Sequence, residues 1–173
     1  RLNSKKNVTV RLITVKNYVT MTANERNEVR GMLRRKAYQK LLDWKNDRNH
    51  KALCIFGARQ IGKTTLIRKF GKENYKCFVE INFVSDANAS DIFSGDLDIG
   101  TILTNLTAYT RQPMEPGQTL IFFDEVQECP NVRTAIKFLV EDGRFDYIES
   151  GSLLGTKFKT VKSLPVGFEE IYR

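Results

Sequence analysis

Lys63 and Thr64 follow the second glycine of Gly57-Ala58-Arg59-Gln60-Ile61-Gly62-Lys63-Thr64-Thr65, a placement suited to gripping a polyphosphate. The pattern G-x-x-x-x-G-K-[ST] curls the main chain so that its N–H groups converge on one anion at the positive end of a helix dipole. Gly57 and Gly62 admit phosphates without a Cβ in the way, Lys63 reaches the β- and γ-phosphates, and the Thr64 hydroxyl is a ligand for Mg²⁺. A glycine turn that merely precedes a lysine would satisfy these residues alone. The apolar run Ala52 to Phe56 ahead of them and the helical stretch Thr65 to Phe70 behind, closed by Gly71, supply the strand and helix that the chemistry requires.

Two acids form the second cluster. Thr119-Leu120-Ile121-Phe122-Phe123 is a β-prone apolar run that ends in Asp124 and Glu125, as a central parallel strand does when its C-terminal tip faces a nucleotide. Asp124 is the candidate for the Mg²⁺ shell, and Glu125 is the candidate general base that polarises the attacking water. A solvated acidic turn would look similar, but it would have to coincide with the upstream loop by chance. A third run, Asp146-Tyr147-Ile148-Glu149-Ser150-Gly151-Ser152, reads as a strand entering a polar turn, with Ser150 and Ser152 as candidates for sensing the γ-phosphate or orienting the water. A plain Ser/Gly turn accounts for either serine equally well.

The elements that must carry these residues follow from apolar periodicity. Val29, Leu33, Ala37, Leu41 and Trp44 predict a helix over about 27–47, packed ahead of the first strand. Cys77 to Phe83 reads as a second strand, Ile99 to Tyr109 as a helix, Pro113 to Gly117 as a turn, and Val132 to Glu141 as a helix that stops near Gly143. Alternation of strand and helix gives an α/β fold with a mainly parallel sheet and helices on both faces. The expected organisation is an unstructured or non-native extension over 1–20, a basic helical segment over 21–50, and a nucleotide-binding core over 51–173.

Charge and cysteine use bound the function further. The first fifty residues hold 13 Lys and Arg against 4 Asp and Glu, whereas the remainder hold 15 against 16. The basicity therefore belongs to the N-terminal arm, where nucleic acid is one partner and a solvated helix face the plainer reading. The apolar runs are strand-length, well short of the roughly eighteen residues that a spanning helix needs. Cys54, Cys77 and Cys129 have no metal-type spacing and His50 is the only histidine, which argues against a zinc site or a Ser-His-Asp hydrolase. A cytoplasmic setting is expected.

Together the runs from Arg35 to Lys45, Gly57 to Thr65, Ile121 to Gln127, Asp142 to Leu153 and Pro165 to Glu170 resemble the prokaryotic AAA-family ATPases that carry a C-terminal domain of uncharacterised function. The likeness covers about residues 35 to 173, and its most specific parts are the Gly-Ala-Arg-Gln form of the loop and the Asp-Glu-Val-Gln form of the acidic strand. The resemblance implies a three-layer P-loop NTPase fold of the additional-strand type, with the serine-bearing strand between the other two motif strands. It implies ATP with Mg²⁺, there being no guanine-reading Asn-Lys-x-Asp stretch.

Relative to that family the sequence stops at Arg173, before the helical lid and effector domain, and at or before the last core strand. The expectation is that one neighbour of the first strand is absent or incomplete and that ATP is bound but hydrolysed slowly, with no assignable trans-acting arginine. Homo-oligomerisation and the missing C-terminal part are the partners this leaves open. Two function classes remain: an ATP hydrolase, and a non-catalytic nucleotide switch associated with nucleic acid through the basic arm. A phosphotransferase shares the loop, but an acid directly after Asp124 favours water as acceptor.

Overall fold

Apolar, β-branched and aromatic side chains dominate the core strands of one sheet, as expected where helices cover both faces. The computed structural model describes residues 23–47, 51–57, 60–95, 97–152 and 169–172. Within them the order is α1 (Ala23–Asn46), β1 (Ala52–Gly57), α2 (Lys63–Asn74), β2 (Cys77–Asn82), a 3-10 helix (Ala87–Phe93), α3 (Ile99–Thr110), β3 (Thr119–Asp124), a short 3-10 turn (Val126–Glu128), α4 (Pro130–Asp142), β4 (Asp146–Ser152) and β5 (Glu169–Tyr172). All pairings are parallel, in the order β2-β3-β4-β1-β5. The serine-bearing strand β4 thus lies between β1 and β3, as the resemblance implies.

Alternation along the strands sorts side chains to two faces. Val79, Ile81, Ile121, Phe123 and Tyr147 point to one core with Ile102 and Leu106 of α3 and Val132, Ile136 and Leu139 of α4. On the opposite face Phe122 stacks on Phe78 with centroids 6.4 Å apart, and α2 packs there through Gly71. β3 is buried along its whole length, which accounts for its near-continuous hydrophobic run.

On the side away from β4, Ala52 to Ile55 pair with the four residues of β5, Glu169 to Tyr172, the short form of the neighbour that was expected to be absent or incomplete. Two expectations are corrected. Gly71 does not end α2, which runs on to Asn74. A Cβ at Gly71 would lie 2.2 Å from Phe78 Cδ2, so the glycine is there to let the Phe78 ring approach the helix. The second strand stops at Asn82, one residue early, because the Asn82 side-chain oxygen accepts from the N–H groups of Val84 and Ser85 and turns the chain.

The chain divides into two compact units, residues 1–40 and 41–173, and α1 runs through the division. In the first, Arg34, Arg35, Lys36 and Lys40 are exposed. In the second, Leu41 and Trp44 are buried. Trp44 Nε1 donates to the Lys51 carbonyl at 2.7 Å, and its ring lies 6.4 Å from that of Phe70. The expected extension over 1–20 lies outside the described residues. No helix among the described residues is long and apolar enough to cross a membrane.

Candidate functional site

β1 stops at Gly57, and α2 begins at Lys63 behind Gly62, whose backbone is left-handed at φ 87° and ψ 21°. Glycine takes that conformation without steric cost, and at the N-cap it offers no side chain to the first-turn N–H groups. No acid stands in that first turn. The N–H groups and the dipole of a 12-residue helix are therefore available to an anion. Lys63 Nζ donates back across the loop to the Gly57 carbonyl at 3.1 Å. Gln60 is also left-handed, Ile61 is exposed, and Thr65 faces solvent. Ala58 and Arg59 lie outside the described residues.

The strand tips bring the acids and the hydroxyls to this loop. Asp124 ends β3 at 3% exposure. Its Oδ2 accepts from Thr64 Oγ1 at 3.1 Å and from Asn82 Nδ2 at 3.0 Å. Its Oδ1 accepts from the Ser150 hydroxyl and from the Glu125 N–H at 3.1 Å. Four donors converging on one carboxylate fix its orientation. Oxygen donors of this kind, a carboxylate and a hydroxyl, suit the hard, oxygen-seeking Mg²⁺ that binds through one or two carboxylates and the substrate's phosphates. Thr64 and Asp124 thus fit the ion expected from the sequence.

Glu125 is held in left-handed backbone at φ 58° and ψ 46°, a conformation that a non-glycine residue keeps only where its surroundings enforce it. Its Oε2 accepts from Gln127 Nε2 at 2.5 Å. Ser152 does not join Ser150 in bonding to Asp124. Its backbone N–H donates to Gln127 Oε1 at 3.4 Å, and its side chain is buried. At the rim, Arg68 makes a bidentate pair with Glu80, both N–H···O distances being 2.6 Å. The hydrogen bond to Glu80 holds the guanidinium above its ordinary pKa, against a smaller opposing effect of burial, with the charges of Glu80 and Asp124 adding to the rise.

Sequence reasoning missed Asn82 and Gln127 as site residues. Asn82 is in register with Asp124 across β2 and β3, so a polar residue closing an alternating strand was the available signal. For Gln127 the signal was its place two residues after the candidate base.

A five-stranded parallel sheet with the order given above, a glycine-bounded loop entering a helix, and a buried acid at the neighbouring strand tips define a P-loop nucleotide-binding domain. A profile of the family described as AAA domain matches residues 49–173, and the chain belongs to that family. It is accordingly a nucleotide-binding ATPase module. Among solved structures, Drosophila ORC bound to AT-rich DNA and Cdc6 shares the fold at TM-score 0.52 and 11% identity, over 84% of this chain and 55% of that one. This chain therefore corresponds to just over half of that protein's chain. Looser likenesses are C. elegans PCH-2, at TM-score 0.42 and 15% identity over 91% and 44% of the two chains, and a single-residue variant of Thermotoga maritima RuvB, at 0.41 and 14% over 88% and 45%. A search of curated proteins gave no match.

Proposed function

We propose that the module binds Mg·ATP at the Gly57–Thr64 loop and hydrolyses the bond between the β- and γ-phosphates. The observation that carries the reading is the convergence of Thr64, Asn82 and Ser150 on the buried Asp124 carboxylate, at the end of the sheet where the N-terminus of α2 opens. Loop N–H groups and Lys63 hold the phosphates, Lys63 exchanging the Gly57 carbonyl for phosphate oxygen. Mg²⁺, held by Thr64 and Asp124, supplies charge neutralisation on the phosphate oxygens. Glu125 accepts a proton from water as its oxygen attacks the γ-phosphorus, and the bridging oxygen leaves with ADP, taking the bonding pair. Ser150 keeps Asp124 oriented beside the reacting group.

The test is ATP turnover by the wild-type chain and by Glu125→Gln. Loss of the base lowers kcat by roughly 10²- to 10⁴-fold while ATP binding is kept. Equal turnover in the two would refute the role of Glu125. The exposed Arg34, Arg35, Lys36 and Lys40 favour a second reading, in which ATP occupancy regulates binding to nucleic acid. Under it, Glu125→Gln leaves nucleic-acid binding unchanged. A soluble, cytoplasmic setting and self-association belong to the same proposal.

A further inference from the structure

Gln127 lies between the candidate base and the serine-bearing strand, and both ends of its amide are engaged. Nε2 donates to Glu125 Oε2 at 2.5 Å, and Oε1 accepts from the Ser152 N–H at 3.4 Å. The side chain is 7% exposed, so these contacts are made away from bulk water. The strand opposite is shaped to receive it: a Cβ added at Gly151 would lie 3.0 Å from Gln127 Oε1 and 2.9 Å from Phe56 Cε1. The glycine between the two candidate serines is therefore what lets the amide reach β4. Glu125 itself, half-buried in left-handed backbone, depends on its neighbours for its direction.

We propose that Gln127 is the positioning residue for Glu125, tying its carboxylate to β4 so that base and serine strand keep one spacing. This rests on Glu125 acting as the base. One carboxylate oxygen is occupied by the amide, which leaves Oε1 to take the proton from water. The link also passes a displacement of β4 to the base, since a shift at Ser152 pulls the amide and hence the carboxylate. The two contacts of the amide go to Glu125 and to the Ser152 N–H, so its removal acts through the base, on kcat and not on nucleotide affinity.

The experiment compares Gln127→Met, near in shape but without either hydrogen bond, with wild type, Glu125→Gln and the double variant in the full chain. Misplacement of a catalytic group by about 1 Å costs on the order of 10²-fold. Gln127→Met is therefore expected to lower kcat by roughly 10- to 100-fold with KM and ATP affinity unchanged, and to cost nothing more once Glu125 is Gln. If Glu125→Gln is inactive while Gln127→Met turns over as wild type, the positioning role is wrong and the base assignment stands. If Glu125→Gln turns over as wild type, both fall. If Gln127→Met also loses ATP affinity, the amide protons of Gln127 decide, read by NMR in wild type and in Glu125→Ala. A shift of that resonance supports the tie, and an unmoved resonance overturns it.

Discussion

Removing the Glu149 charge should destabilise the fold more than its single atom change suggests. Glu149 and Arg133 are 0% and 1% exposed, and Arg133 Nη1 donates to Glu149 Oε2 beneath α4. The Cys54 thiol also donates to Glu149 Oε2, at 3.4 Å, and Arg133 Nη1 donates to Cys54 Sγ at 3.1 Å. The guanidinium lies 5.7 Å from the Phe56 ring centroid. Glu149→Gln keeps the shape and deletes the charge, so a buried cation loses this charged partner. Breaking such a pair from one side costs about 3–5 kcal/mol, a large part of the roughly 5–15 kcal/mol that holds a domain together. In a domain of this size that corresponds to a fall of roughly 6–20 °C in Tm.

Urea titration followed through the single tryptophan, buried Trp44, reads the change. Replacing both partners, Arg133→Met with Glu149→Leu, is expected to recover most of the loss, since an apolar pair avoids the desolvation cost of two ions. A Glu149→Gln variant within about 0.5 kcal/mol of wild type would refute the reasoning, as would a double variant no better than the single one. The pair also bears on the site, because Glu149 fixes β4 from one face while Ser150, the next residue, meets Asp124 on the other.

Three further outcomes follow from particular contacts. Gly71→Ala gains about 1 kcal/mol of helix propensity but meets the Phe78 ring, for an overpacking cost of about 1–3 kcal/mol. Urea titration should therefore show a net loss of up to about 2 kcal/mol, and a more stable variant would contradict the packing. Burial, followed by the hydrogen bond to and charge of Asp86, pushes the Tyr109 phenol up to about 12. Its contribution to stability is full below the ordinary tyrosine value of about 10 and is lost as pH rises through the raised one. The same bond, followed by the Asn88 N–H, holds the Asp86 carboxyl below its usual range, so that contribution is present above about pH 3.9 and is lost as pH falls. In Tyr109→Phe the alkaline loss should shrink, with the raised Tyr75 and Tyr147 still contributing to it, and a carboxyl NMR titration should find Asp86 raised; an unmoved Asp86 would count against the contact. Lys63→Ala should weaken ATP binding by at least tenfold, about 1.4 kcal/mol, in a fluorescent-nucleotide titration with unchanged Tm, and wild-type affinity would remove Lys63 from the site.

The parts of the fold legible in the sequence are those whose signal is local. The glycine pair with Lys63, the apolar run into Asp124, and the strand–helix alternation all act through neighbours in the chain, and the strands and helices that carry them form at those residues. What escaped depends on distant partners. Gly71 looks like a helix stop until Phe78, on the next strand, is seen to need its missing Cβ. Glu169 to Tyr172 is too short and too acidic to announce a strand, and it becomes one by pairing with β1. Asn82 and Gln127 join the site only through sheet register and the turn after β3, and the Arg133–Glu149 pair brings a helix and a strand together from charges that sequence alone would assign to the surface.

The central assignment, a phosphate-gripping loop facing Asp124 through Thr64, is tested most directly by calorimetric titration of the wild-type chain with ATP, in Mg²⁺ and in EDTA. Tight one-to-one binding that weakens when the metal is removed, and that loses this metal dependence in Asp124→Asn, is the predicted result. Absence of ATP binding, or binding indifferent to both the metal and Asp124, would contradict it.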